Sequence, residues 1–221
     1  MEKIPLLIPP TVNSSLSFGW EKMKQYFLPL LLVVLVIAVV NIPLDSMRDT
    51  LKDSSETLLR KDELLLQILS AAYWLLLLPA FEYSADLMFI HAIRDQKLDF
   101  NNLFAGFRNY LNVVLAHLLV AALVGIAFIA LIIPGIFVAC RLAFVSYLVI
   151  DKGLEPIEAV ETSWNMTRKH GWKIFGLACM SILIGLGGLL LLIVGLIPAI
   201  IWIKASFASL YEAILIENEA E

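Results

Sequence analysis

From Leu111 to Ile150 the chain is apolar for 40 residues, with Pro134-Gly135 near the middle and one arginine, Arg141, beyond it. As a single helix rising 1.5 Å per residue this run would be about 60 Å long. The hydrocarbon core of a bilayer is only about 30 Å thick. The residue before a proline avoids the α region and glycine tolerates a turn, so Pro134 and Gly135 are expected to fold the run into a hairpin. The same argument breaks the apolar stretch from Trp172 to Ile216 near Pro198.

Composition points the same way. The 221 residues are 60% hydrophobic and 16% charged, where a soluble domain is nearer half apolar and a quarter charged. An all-α integral membrane protein is predicted, one polytopic domain over residues 1–221. Its six spans fall at 26–44, 64–90, 111–133, 135–150, 172–197 and 198–216, grouped as three hairpins, with Pro79 kinking the second. Asp45 to Glu63 forms a charged loop. Ten lysines and arginines fall on the side of the N-terminus and four, Arg48, Lys52, Arg60 and Lys61, on the other. Basic residues concentrate on cytoplasmic loops, so both termini are expected in the cytoplasm. A net charge of −4 argues against nucleic acid, which demands a concentrated basic face.

Each hairpin is preceded by a short stretch with helical periodicity, at 14–25, 99–110 and 155–170. Leu16, Trp20, Met23 and Phe27 form one stripe, with Lys22 and Lys24 on the wet face. In the second, Asp99 suits an N-cap, and Phe100, Leu103, Phe104, Phe107 and Leu111 share a face. In the third, Ile157, Val160 and Trp164 recur at i, i+3 and i+7, Pro156 suits the first turn and Gly171 the C-cap. These are read as interfacial amphipathic helices anchored by Trp20, Phe107 and Trp164.

The second helix of each hairpin carries a charge at similar distance from its proline: Asp86 follows Pro79, Arg141 follows Pro134 and Lys204 follows Pro198. Glu82 lies one turn before Asp86. A charge inside a membrane costs about 3 kcal/mol on insertion scales and normally points inward and pairs. Glu82, Asp86, Arg141 and Lys204 are therefore expected to converge as a buried cluster, with Glu212 joining from the cytoplasmic side. Ala121–Gly125 and Ser181–Gly185, extended by Gly187, Gly188 and Gly195, read as close-packing surfaces between helices of the chain.

Signatures of catalysis are missing. There is no HExxH, phosphate loop, GxSxG or dinucleotide fingerprint in the sequence. His91, His117 and His170 are far apart, and Cys140 and Cys179 lack metal spacing, so neither a metal nor a cofactor is implied.

The run IPGIFVACRLAFVSYLVIDKGLEPIEAVETSWNMTRKHGWKIFG resembles the hallmark of a bacterial membrane-protein superfamily. That group contains the membrane domain of glycerophosphoryl diester phosphodiesterases and related families of unknown function. The similarity rests on Pro134-Gly135, Arg141, Phe144, Asp151, Gly153, Glu158-Ala159, Ser163-Trp164 and a basic residue before Trp172. SFGWEKMKQYFLPLL and FNNLFAGFRNYLNVVL are similar to the family's other segments. The resemblance implies six helices in the bacterial cytoplasmic (inner) membrane; it does not imply catalysis here, because the phosphodiesterase barrel would be a separate domain.

The expected function is that of a non-enzymatic accessory or scaffold, or a lipid-organising component, whose partners are the bilayer and another membrane protein. The alternative is a transporter of a small molecule or lipid that uses the charge cluster. Whether the chain forms homo-oligomers is left open.

Overall fold

The computed structural model describes residues 9–41 and 71–220, together with Leu65, Ile68 and Leu69. The loop from Asp45 to Glu63 lies outside the described residues. Among those described there is no strand. Helices α1 (Val12–Gln25) and α2 (Phe27–Val40) meet at a 96° bend. A π-helical turn, Tyr73–Leu77, leads into α3 (Leu78–Ile93). A 3-10 turn, Phe100–Phe104, and the single turn α4 (Ala105–Arg108) precede α5 (Tyr110–Ala130). Next come α6 (Ile132–Arg141), the turn α7 (Val145–Tyr147) with its π-helical continuation Leu148–Lys152, and α8 (Pro156–Met166). The chain ends with α9 (Gly171–Leu190) and α10 (Leu192–Ala220).

Five stretches are long and apolar enough to cross a membrane: Tyr73–Ile93, Tyr110–Ala130, Ile132–Lys152, Gly171–Leu190 and Gly195–Glu219. The bent pair α1 and α2 supplies a sixth if counted as one span. This is the architecture of a membrane protein, because α5 and α9 leave most of their apolar side chains uncovered. Ile126, Ile129, Leu183 and Leu190 are all more than half exposed, a surface that water does not tolerate at this extent.

The breaks fall earlier than proline placement predicts. Leu131, extended at φ −167° and ψ 151°, separates α5 from α6, and Pro134 and Gly135 lie in the first turn of α6. A first-turn residue has no intrahelical acceptor for its N–H, so proline is tolerated there. Gly135 permits close packing instead of making the turn: a Cβ on it would lie 2.5 Å from the Phe128 ring of α5. In the third apolar stretch the break is Leu191, and Pro198 sits inside α10 without ending it. Gly188 and Gly195 press together across this second break: a Cβ added to either would lie within 3 Å of the other's carbonyl oxygen. Pro79 follows a π-helical turn, a widened backbone that accommodates the missing hydrogen bond.

The other small-residue surfaces are not used within the chain. A Cβ on Gly125, Gly185 or Gly187 would meet nothing within 4 Å, so the Ala121–Gly125 and Ser181–Gly185 pairs do not supply the expected internal packing.

The three stretches ahead of the apolar helices dock on the core through small residues. Gly19 of α1 lies against α10, where a Cβ would come 2.8 Å from the Ser206 backbone nitrogen, and Trp202 donates from Nε1 to the Leu16 carbonyl at 2.9 Å. Gly106 of α4 lies against the Ala80 carbonyl of α3, and its N–H donates to Ser84 Oγ at 2.8 Å. Ser163 of α8 donates to the Arg141 carbonyl at the end of α6, also at 2.8 Å. In each case an aromatic residue follows the small one: Trp20, Phe107 and Trp164. Trp20 and Trp164 remain about 40% exposed, whereas Phe107 packs against Phe81 at 5.0 Å.

Two details of these stretches differ from the sequence reading. Lys22 is not on a wet face: its side chain is 7% exposed and reaches Asp95 at 2.6 Å. Asp95 ends α3 with φ +53°, a left-handed conformation aspartate tolerates, and also accepts from Gln25 Nε2 and Tyr26 Oη. Gly171 opens α9; Thr167, its hydroxyl bonded to the Ser163 and Arg141 carbonyls, closes α8. Asp99 caps the second stretch as expected from its type, accepting from the Asn101 N–H at 3.0 Å.

Candidate functional site

Burial separates the apolar helices into two kinds. Twelve residues of Tyr73–Ile93 and ten of Gly195–Glu219 are buried, against three of Tyr110–Ala130 and three of Gly171–Leu190. The core is therefore α3 and α10 with the α7 segment, and α5 and α9 are outer helices. In a bilayer the side chains of outer helices meet lipid, so polar chemistry collects between the core helices.

Lys204 Nζ of α10 meets Asp86 Oδ1 of α3 at 2.9 Å, and Ser146 of α7 donates to the other oxygen, Oδ2, at 2.8 Å. Both carboxylate oxygens of Asp86 are thus occupied. The carboxylate is 7% exposed and the Lys204 side chain 38% exposed, so the lysine borders open space. That space is a cavity of about 430 Å³, half open, lined from α3 by Glu82 and Tyr83, from α5 by His117 and Val120, from α7 by Ser146 and Tyr147, and from α10 by Lys204 and Phe207. Neither Glu82 nor His117 has a hydrogen-bond or ion-pair partner among the described residues. His117 is seven residues into α5 and thirteen from its end, about 10 and 20 Å along the helix. The polar layer therefore lies nearer the end where α3 finishes than the end where the hairpins turn.

Arg141 does not join this set. Its guanidinium lies over the rings of Phe137 and Trp164, with centroids at 4.9 and 5.6 Å, and one Nη donates to the Trp164 carbonyl at 3.4 Å. No carboxylate among the described residues pairs with it. The reason is helical phase: α6 stops at Arg141, and Leu142 and Phe144 leave the α region at φ −98° and −107°. After that step it is Ser146, five residues on, that faces Asp86. Equal spacing from a proline predicts equal direction only along an unbroken helix.

A second polar layer was not anticipated as a unit. Arg94, at the end of α3, forks onto both oxygens of Asp151 at 2.6 and 2.8 Å and donates from Nε to Glu212 Oε2 at 2.9 Å. Tyr211 donates to Asp151 Oδ2 at 3.0 Å. Burial disfavours the Arg94 charge, yet the hydrogen bonds and charges of Asp151 and Glu212 outweigh it and raise its pKa above the ordinary value. Glu212 thus belongs here and not with Lys204. The signal lay in spacing: Asp86 and Arg94 are eight residues apart, and so are Lys204 and Glu212. Between the two layers Tyr147 stacks on Tyr211 at 5.1 Å and Phe144 abuts Tyr211 at 5.7 Å. These aromatics close the cavity on the Arg94 side.

The arrangement can bind a ligand: His117, Glu82, Ser146 and Lys204 line the cavity, and no group of three metal-ligating side chains forms among the described residues. Comparison with known protein families, curated proteins and solved structures finds no match for the chain.

Proposed function

We propose that the protein is a non-enzymatic polytopic membrane protein that takes the polar part of a small molecule or lipid into the cavity between α3, α5, α7 and α10. One observation carries this reading: the Asp86–Lys204 pair is not sealed in a dry core but borders a half-open space of about 430 Å³, a volume in the range of small-molecule sites. Glu82 and His117 line that space with no hydrogen-bond or ion-pair partner among the described residues, which leaves them available to a ligand. A bundle that used its charges only to hold helices together would satisfy them all internally.

A scaffold role is the second reading, supported by the exposed glycine faces of α5 and α9, Gly125, Gly185 and Gly187, which permit close approach by a partner helix. The resemblance to the phosphodiesterase-associated superfamily is compatible with either role and supports a bacterial cytoplasmic membrane, while the split of basic residues supports both termini inside. Three of the residues that carry that resemblance meet in the fold, since Ser163 donates to the Arg141 carbonyl and the Arg141 guanidinium lies over Trp164.

The test is purification from native membranes followed by identification of bound lipids and small molecules, wild type beside Val120→Trp, which fills the cavity. The reading expects a molecule retained by the wild type and lost from the variant. Identical bound molecules in both contradict it.

A further inference from the structure

Resting on the reading just proposed, we infer that the cavity's ligand carries an organic ammonium group. The argument is a charge count. Of the ionisable groups that line the cavity, Asp86 and Lys204 neutralise one another at 2.9 Å. Each Asp86 oxygen already has a protein donor, Lys204 on Oδ1 and Ser146 on Oδ2. What else faces the space is Glu82, which has no ion-pair partner among the described residues and shares the field of Lys204 with Asp86, and His117, which as a neutral imidazole brings no charge. With Glu82 as a carboxylate the lining carries one negative charge more than it has positive, and a carboxylate in a membrane needs a counterion.

The walls specify which kind. Tyr83, Tyr147 and Phe207 place three aromatic residues around the same space. Aromatic faces are negative, attract organic cations and are less suited to a strongly hydrated metal ion. A carboxylate with aromatic walls is the environment that recognises substituted ammonium groups. The shared chemistry is the ammonium, whether it belongs to a lipid or to a free amine.

The experiment follows the thermal midpoint of the full chain in a neutral maltoside detergent during titration with octyltrimethylammonium, octylamine, tetramethylammonium, octanol and octyl sulfate. A saturable rise with both octylammonium compounds is expected, at least tenfold tighter than with octanol or octyl sulfate, and at least tenfold weaker in Glu82→Gln. A response to tetramethylammonium with the same Glu82 dependence would identify the free cation as sufficient; a response only with the octyl chain would identify an amphiphile. If Glu82→Gln fails to fold, Phe207→Leu removes an aromatic wall and gives the same comparison. Saturable binding of octanol or octyl sulfate that Val120→Trp abolishes and Glu82→Gln does not would overturn the ammonium assignment and leave the cavity reading standing. Absence of saturable binding by every compound would overturn both.

Discussion

Asp86 of α3 meets Lys204 of α10 at 2.9 Å, and eight residues further along both helices Arg94 meets Glu212 at 2.8 Å. Equal, same-direction spacing means that α3 and α10 run parallel and in register. The α7 segment keeps the same sense, with Ser146 on Asp86 and Asp151 on Arg94. Two polar layers about 12 Å apart thus tie three parallel segments together, with opposite charges reversed between the layers. That reversal specifies register, since sliding one helix by a layer would set like charges against each other.

Removing Lys204 leaves Asp86 buried with only a hydroxyl partner. Lys204→Met should destabilise the protein by about 2 kcal/mol, less than a fully buried pair because the lysine side chain is partly exposed. Adding Asp86→Asn should restore most of the loss. The midpoint of unfolding in detergent measures both, and a double variant no better than the single one would argue that the pair is not coupled.

Arg94 is the stricter case. It balances two carboxylates that are 6% and 13% exposed, so Arg94→Leu should cost about 3–5 kcal/mol. Arg94→Lys keeps the charge but loses the fork onto Asp151, and should fall between the two. Arg141→Leu, which breaks no ion pair, should cost no more than about 1–2 kcal/mol through its lost cation–π contacts. A larger loss from Arg141 than from Arg94 would reverse the assignment of the buried charges.

Gly106 and Gly125 separate packing from helix propensity. Gly106→Ala sets a methyl into the Ala80 carbonyl and should lower stability by more than about 2 kcal/mol. Gly125→Ala meets nothing within 4 Å and should raise it by about 0.5–1 kcal/mol. Equal effects on the thermal midpoint would show that the second stretch does not dock on α3.

Asp95 gives a pH dependence of known sign. Burial raises its pKa, but hydrogen bonds from Lys22, Tyr26 and Gln25 and the Lys22 charge outweigh this and hold it below the ordinary 3.8. A carboxyl depressed in the folded state contributes stability above its unfolded pKa and loses it as pH falls through the folded value. The side chain is 44% exposed, so the contribution is below about 1 kcal/mol. Stability between pH 5 and pH 3 should fall more steeply in the wild type than in Asp95→Asn, and parallel curves would contradict the tie between α1 and the end of α3.

Composition and apolar run length were enough to predict helices of membrane-spanning length, because both depend only on local sequence. The breaks at Leu131 and Leu191 were not legible, since proline stops a helix only where its missing N–H and its ring matter, and in a first turn neither does. Asp86, Lys204 and Glu82 line one cavity because α3 and α10 are unbroken through them. Arg141 was misplaced because the chain leaves the helix between Leu142 and Phe144, and a phase argument cannot see such a step. The Arg94–Asp151–Glu212 layer required knowing that α3 and α10 are parallel neighbours, which single-helix periodicity does not encode.

The central claim is that the Asp86–Lys204 layer borders an open cavity and not a sealed core. Its most direct test is thiol labelling in native membranes with a cationic methanethiosulfonate, in a background with Cys140 and Cys179 replaced. Val120→Cys lines the cavity, and Ala116→Cys, on the same helix, is fully buried. The account expects Val120→Cys to react at least tenfold faster than Ala116→Cys, and octyltrimethylammonium to slow it. Equal, negligible labelling at both positions would mean a dry, closed bundle and would contradict it.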